Sequence, residues 1–105
     1  MALGAEEQEE QKETAARLAG NLDDFVRSGG GFMGIHAATD TLKSQKTYTD
    51  MVGGVFWGHP WGGKHKVVLK VEDPGHALVK GVFAANEFDF HDEIYEFRDY
   101  SRDRL

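Results

Sequence analysis

The apolar residues become periodic from Ala15 onward. Leu18, Leu22, Phe25 and Val26 recur at three- and four-residue steps, which gathers them on one side of a helix that must pack by that stripe. Residues 5–14 before it (AEEQEEQKET) hold helix formers and charge without an apolar face, so 1–14 reads as a solvated helix start or arm ahead of a globular portion at 15–105. Ser28-Gly29-Gly30-Gly31 ends the helix, since successive glycines supply left-handed backbone freely and make continued helix costly. Phe32-Met33-Gly34-Ile35-His36 follows, a short apolar run that predicts a strand buried on both faces of an α/β unit.

Residues 41–52 are polar with sparse apolar positions and predict a helix or helical turn capped by Thr39 or Asp40. The stretch GGVFWGHPWGG (53–63) reads as an irregular surface loop. Lys66–Glu72 is the clearest strand: Val67, Leu69 and Val71 point one way, Lys66, Lys70 and Glu72 the other, and Val68 is an apolar exception. Asp73-Pro74-Gly75 closes it with turn chemistry. Glu87–Phe90 alternates again, and Glu93–Phe97 reads as one more strand or its continuation. The pattern is α/β, yet the sheet is short of members for a fold that covers its central strands with helices on both sides, so a piece of a larger domain is expected.

At 105 residues and 11.7 kDa the chain is one domain at most, and 40% hydrophobic residues mark it as a folding chain. Twelve Lys and Arg against eighteen Asp and Glu leave a net charge of −6, which repels nucleic-acid backbones and anionic membrane surfaces and argues against both as partners. With no cysteine there is no disulfide framework, thiol nucleophile or thiolate zinc site. A metal, if used, would be a divalent ion held by His and carboxylates. No apolar stretch approaches the ~20 residues that span a bilayer, and residues 1–13 are too acidic for a signal peptide; a soluble chain is expected, with the compartment left open.

The candidate chemistry lies in three places. His36 stands where the short apolar run meets a loop, the end of a strand at which open α/β sheets place ligands, and Asp40 follows close by as a binding group or helix cap. His59 lies in the aromatic loop between Trp57 and Trp61; indole faces beside an imidazole suit a sugar, whose C–H faces pack on the ring while its hydroxyls seek donors and acceptors. His91-Asp92-Glu93-Ile94-Tyr95 gathers an imidazole, two carboxylates and a phenol; in extended chain His91, Glu93 and Tyr95 share a face and Asp92 points the other way. Such a cluster suits a general base, a sugar contact or a metal, and equally the protective charge of an edge strand.

GGGFMGIHAATDT (29–41), GGVFWGHP (53–60), VEDPGH (71–76) and DEIYEF (92–97), in this order and at these separations, resemble the ThuA-like domain family associated with trehalose utilisation. The likeness runs from about Leu18 to Arg102. It implies a flavodoxin-like, class I glutamine amidotransferase-like parallel-sheet sandwich, incomplete here because the family carries further elements on both sides. In amidotransferase relatives a cysteine nucleophile sits at the elbow that His36 occupies, so the likeness does not extend to glutamine hydrolysis. What it implies is a carbohydrate-processing protein with a small-molecule carbohydrate as partner. His36 and Glu93 would be the catalytic acid/base or ligand groups, and Asp40, Trp57, His59, Asp92 and Tyr95 the substrate-binding residues, with the His36 and Glu93 regions converging on one crevice. A non-catalytic sugar-binding module and an assembly unit forming homo-oligomers are the alternatives.

Overall fold

The computed structural model describes residues 2–104, with the side chain of Arg104 left aside. Its elements are helix α1 (Ala5–Arg27), a 3-10 helix (His36–Asp40), helix α2 (Lys46–Val52), strands β1 (Val55–Trp61), β2 (Lys66–Lys70), β3 (Glu87–His91) and β4 (Ile94–Arg98), and a short 3-10 turn at Arg102–Arg104. They divide into two compact units, one of Met1–Trp57 with Phe97–Leu105 and one of Gly58–Glu96.

In the first unit the polar arm and the amphipathic stretch are one continuous helix. Glu7 reaches back to accept from the Gly4 amide at 2.8 Å, satisfying a donor at the open end of α1. At the other end the Gly30 amide donates to Phe25 O and the Gly29 amide to Val26 O, the paired bonds of a Schellman cap, with Gly29 left-handed at φ 99°. The face of α1 turned inward is Ala15, Ala19, Leu22 and Val26, with Ala19 fully buried, while Leu18 and Phe25 flank it and remain largely in water. Helix α2 packs against α1 and sinks Tyr48 into the small core that Ala19 and Val55 complete.

Several expectations are corrected here. Phe32–Ile35 is extended but pairs with no strand among the described residues, and Met33 and Ile35 are 74% and 77% exposed rather than buried on both faces. A strand is made by its neighbours, and no described strand pairs with this one. Helix α2 begins at Lys46 with Gln45 before it, so neither Thr39 nor Asp40 caps it: Thr41 Oγ1 donates back to Ala37 O, and Thr39 Oγ1 is buried without a partner. The glycine-aromatic stretch is not a loop, because Val55–Trp61 forms β1.

The strands are α/β in company with the helices, but their pairing is antiparallel in two small sheets, β1 with β4 and β2 with β3; no parallel pair occurs among the described residues. In the second unit β2 and β3 run antiparallel with Lys66 opposite His91 and Lys70 opposite Glu87. Val67 and Leu69 are half-buried while Lys66, Val68 and Lys70 face water, as alternation requires. Phe88 stacks on Phe83 with centroids 4.9 Å apart and meets Phe90 edge-on, which covers one face of this pair. The Asp73 carboxylate accepts from the Gly75 amide, the turn expected at the end of β2.

Candidate functional site

Of the residues singled out from the sequence, His36, Asp40 and Trp57 belong to the first unit and His59, Asp92, Glu93 and Tyr95 to the second. In the second unit the chain leaves β3 at His91 and enters β4 at Ile94. The step between them is made by Asp92, whose Oδ1 accepts from the Glu93 amide at 2.7 Å. One Asp92 oxygen is therefore taken by the amide of the next residue, and the face-sharing expected of a continuous strand from His91 to Tyr95 is interrupted there.

The break sets Glu93 at the mouth of β4, where its Oε2 lies 3.8 Å from Nδ1 of His59 on β1. The ring of Tyr95 lies 6.4 Å from the His59 ring, tilted by 33°. Three of the sequence candidates are thus brought together: an imidazole, a carboxylate and a phenol. Glu93 is half-buried and His59 about half exposed, so the pair is open to a solute on one side. An imidazole held beside a carboxylate can take up or release a proton in place, and the two together count as an ion pair when His59 carries the proton. Among the described residues no three His, Cys, Asp or Glu groups lie close enough together to hold a metal ion.

In the first unit the site residues take different partners. Asp40 pairs with Lys43 within the same polar turn. Trp57 lies under the Arg98 guanidinium, 4.6 Å from its ring centroid, a cation–π contact that no local sequence signal announces. The indole is 64% exposed all the same. His36 opens the 3-10 helix in the left-handed region, at φ 50°. That conformation costs a residue bearing a Cβ roughly 1–2 kcal/mol, and it persists only where surrounding contacts impose it.

The contacts are visible. The Tyr48 hydroxyl donates to the carbonyl of Ala38 at 2.8 Å, and the Tyr48 ring meets Phe32 edge-on with centroids 6.2 Å apart. A neutral hydrogen bond contributes about 1 kcal/mol and an aromatic pair about as much again, which is the size of the strain at His36. Gly34 completes the bend: a Cβ there would come within 2.9 Å of Ala38 Cβ, too close for two carbon atoms. Burial pushes the Tyr48 hydroxyl above the ordinary phenol range, so it is protonated and able to donate at neutral pH.

The family model for ThuA, trehalose utilisation, matches residues 4–105. The chain belongs to the ThuA family. That span takes in all of α1 and both groups of site residues, reaching further toward the N-terminus than the four sequence motifs do. No curated protein and no solved structure gives a significant match. Membership ties the chain to trehalose utilisation, and no helix among the described residues is long and apolar enough to cross a membrane.

Proposed function

We propose that this ThuA-family chain is carbohydrate-processing and that His59 and Glu93 form its proton-handling pair. The observation that carries the reading is their 3.8 Å approach, made by residues far apart in sequence, His59 on β1 and Glu93 just ahead of β4. A sugar offers hydroxyls to such a pair and C–H faces to aromatic rings, and Tyr95 beside His59 supplies one such ring. Glu93 acts as the acid/base group, His59 orients it and binds substrate, and Asp92 sets the turn that delivers it. In the other unit His36, held at its own bend, is an acid/base or ligand group in its own right, with Asp40 and the exposed indole of Trp57 as binding groups. The flavodoxin-like, amidotransferase-like architecture belongs to this reading through the family resemblance, without the thiolate chemistry.

A sugar-binding module without turnover is the second reading. It is favoured by the openness of these groups, since acid/base catalysis gains most where water is excluded. Trehalose and its oxidised derivatives, offered to the protein while tryptophan fluorescence and product release are followed together, separate the two. Saturable fluorescence change with product formation that disappears in Glu93→Gln supports processing. Saturation without product supports binding alone. No change in either signal overturns both.

A further inference from the structure

We infer that Tyr48 is the positioning residue of the His36 bend, clamping it from both sides and so setting the direction of the imidazole. The proposal rests on the functional reading of His36 only for its purpose; its geometry is independent of it. Two residues lie between Tyr48 and the function by contact alone. Phe32, four positions before His36, meets the edge of the Tyr48 ring, and Ala38, two positions after His36, accepts the Tyr48 hydroxyl bond.

The left-handed residue sits between these two attachments. The 3-10 helix adds one bond of its own here, from the Ala38 amide to Ile35 O at 3.2 Å, which spans the bend without fixing what lies on either side. Tyr48 can do so because it is anchored elsewhere: it is 6% exposed, on a helix that packs against α1. The Phe32 and Tyr48 rings meet at 80°, and the hydroxyl bonds the Ala38 carbonyl, so Tyr48 holds the chain at one point before His36 and at one point after it. The extended stretch ahead of His36 pairs with no strand among the described residues, and the Tyr48 contacts tie the bend to α2. Thr49, the next residue on α2, bonds its own helix instead, donating to Lys46 O, and serves as the matched control.

Tyr48→Phe removes the hydroxyl and keeps the ring; Phe32→Leu keeps the hydroxyl and removes the edge contact. The readout is nuclear magnetic resonance of His36 itself: its amide-to-Hα coupling, which reports φ, and its ring proton shifts. Tyr48→Phe is expected to lower the ratio of left-handed to extended His36 by about fivefold, the factor carried by one neutral hydrogen bond. Phe32→Leu should move the same signals in the same direction. Thr49→Ala should leave them in place, while the β2 and β3 amides stay unchanged in all three. His36 signals in Tyr48→Phe and Phe32→Leu that superimpose on those of the parent overturn the proposal, as does an equal displacement in Thr49→Ala. Because the imidazole is observed directly, unimpaired activity in His36→Ala would remove the functional reading and leave this one standing.

Discussion

His59 Nδ1 faces Glu93 Oε2 across 3.8 Å, close enough for an ion pair when the imidazole carries a proton and too far for a direct hydrogen bond. A water or a substrate hydroxyl set to one side of the pair can bond both groups at once, at roughly 2.8 Å from each. Glu93→Gln preserves shape and removes the proton-accepting charge. Activity toward the sugar substrate should fall by about 100-fold or more, in the range typical of a lost general acid or base, with binding retained. Steady-state rates beside fluorescence titration read the two separately, and equal activity in the variant would exclude Glu93 as the acid/base group.

His36→Gly and His36→Ala are expected to diverge. Glycine relieves roughly 1–2 kcal/mol of left-handed strain and gives back about 0.5–1 kcal/mol through the added freedom of the unfolded chain. The net is a gain of about 0.5 kcal/mol, whereas alanine keeps the strain and gains nothing. Denaturant titration of both variants checks the order. Both should lose the His36-dependent activity, so in His36→Gly stability and function move in opposite directions.

Gly34→Ala places a methyl 2.9 Å from Ala38 Cβ, and neither carbon belongs to a side chain long enough to swing away. The 3-10 helix must shift as a whole, which also stretches the Tyr48 bond to Ala38. A loss of about 1–3 kcal/mol is expected, as for other overpacked sites. Thermal unfolding measures it; Gly31→Ala, where an added Cβ meets nothing, is the control.

Alkaline pH tests the Tyr48 hydroxyl from another direction. Burial raises its folded-state pKa, so the protonated form is favoured in the fold. Its contribution to stability is complete below the unfolded phenol value of about 10 and is lost as pH rises through the higher folded value. Stability measured across that window should decline more steeply in the parent than in Tyr48→Phe. Parallel curves would show that the hydroxyl contributes nothing through its proton.

Lys66 and Asp89 meet diagonally at 2.7 Å across β2 and β3, but both side chains are more than half exposed. Such pairs contribute little because water screens them and ordering two long side chains costs entropy. Asp89→Asn should change stability by less than about 0.5 kcal/mol, and less still at high salt. A larger loss by denaturant titration would mean that the pair fixes the register of the two strands.

The sequence made α1, its glycine stop, β2 and the Asp73 turn legible because each is written locally: a repeat of apolar positions, a run of residues without a Cβ, an alternation, an Asx turn. It misled at Phe32–Ile35 and at Val55–Trp61 for the same reason in opposite senses. A short apolar run looks like a strand, but only a ladder to another segment makes it one; five glycines among aromatics at 53–63 look like a loop, but Val55, Phe56 and Trp57 are strong strand formers once β4 lies alongside. The chemistry of His59 and Glu93 was legible as residue types, whereas their meeting depends on chain reversal between β1 and β4. Arg98 over Trp57 carried no signal in its own neighbourhood, since it acts through a partner distant in the chain. Tyr48 alone had a hint: a large aromatic residue among polar neighbours on a short helix must find something to bury against.

The unpaired stretch Phe32–Ile35 has a practical consequence. Proteases that prefer aromatic or long aliphatic residues bind their targets as extended chain, and this segment offers Phe32 and Met33 already in that form and open to solvent. A single cut there would sever α1 from the imidazole while leaving the second unit whole, so limited digestion should yield two defined pieces rather than a ladder.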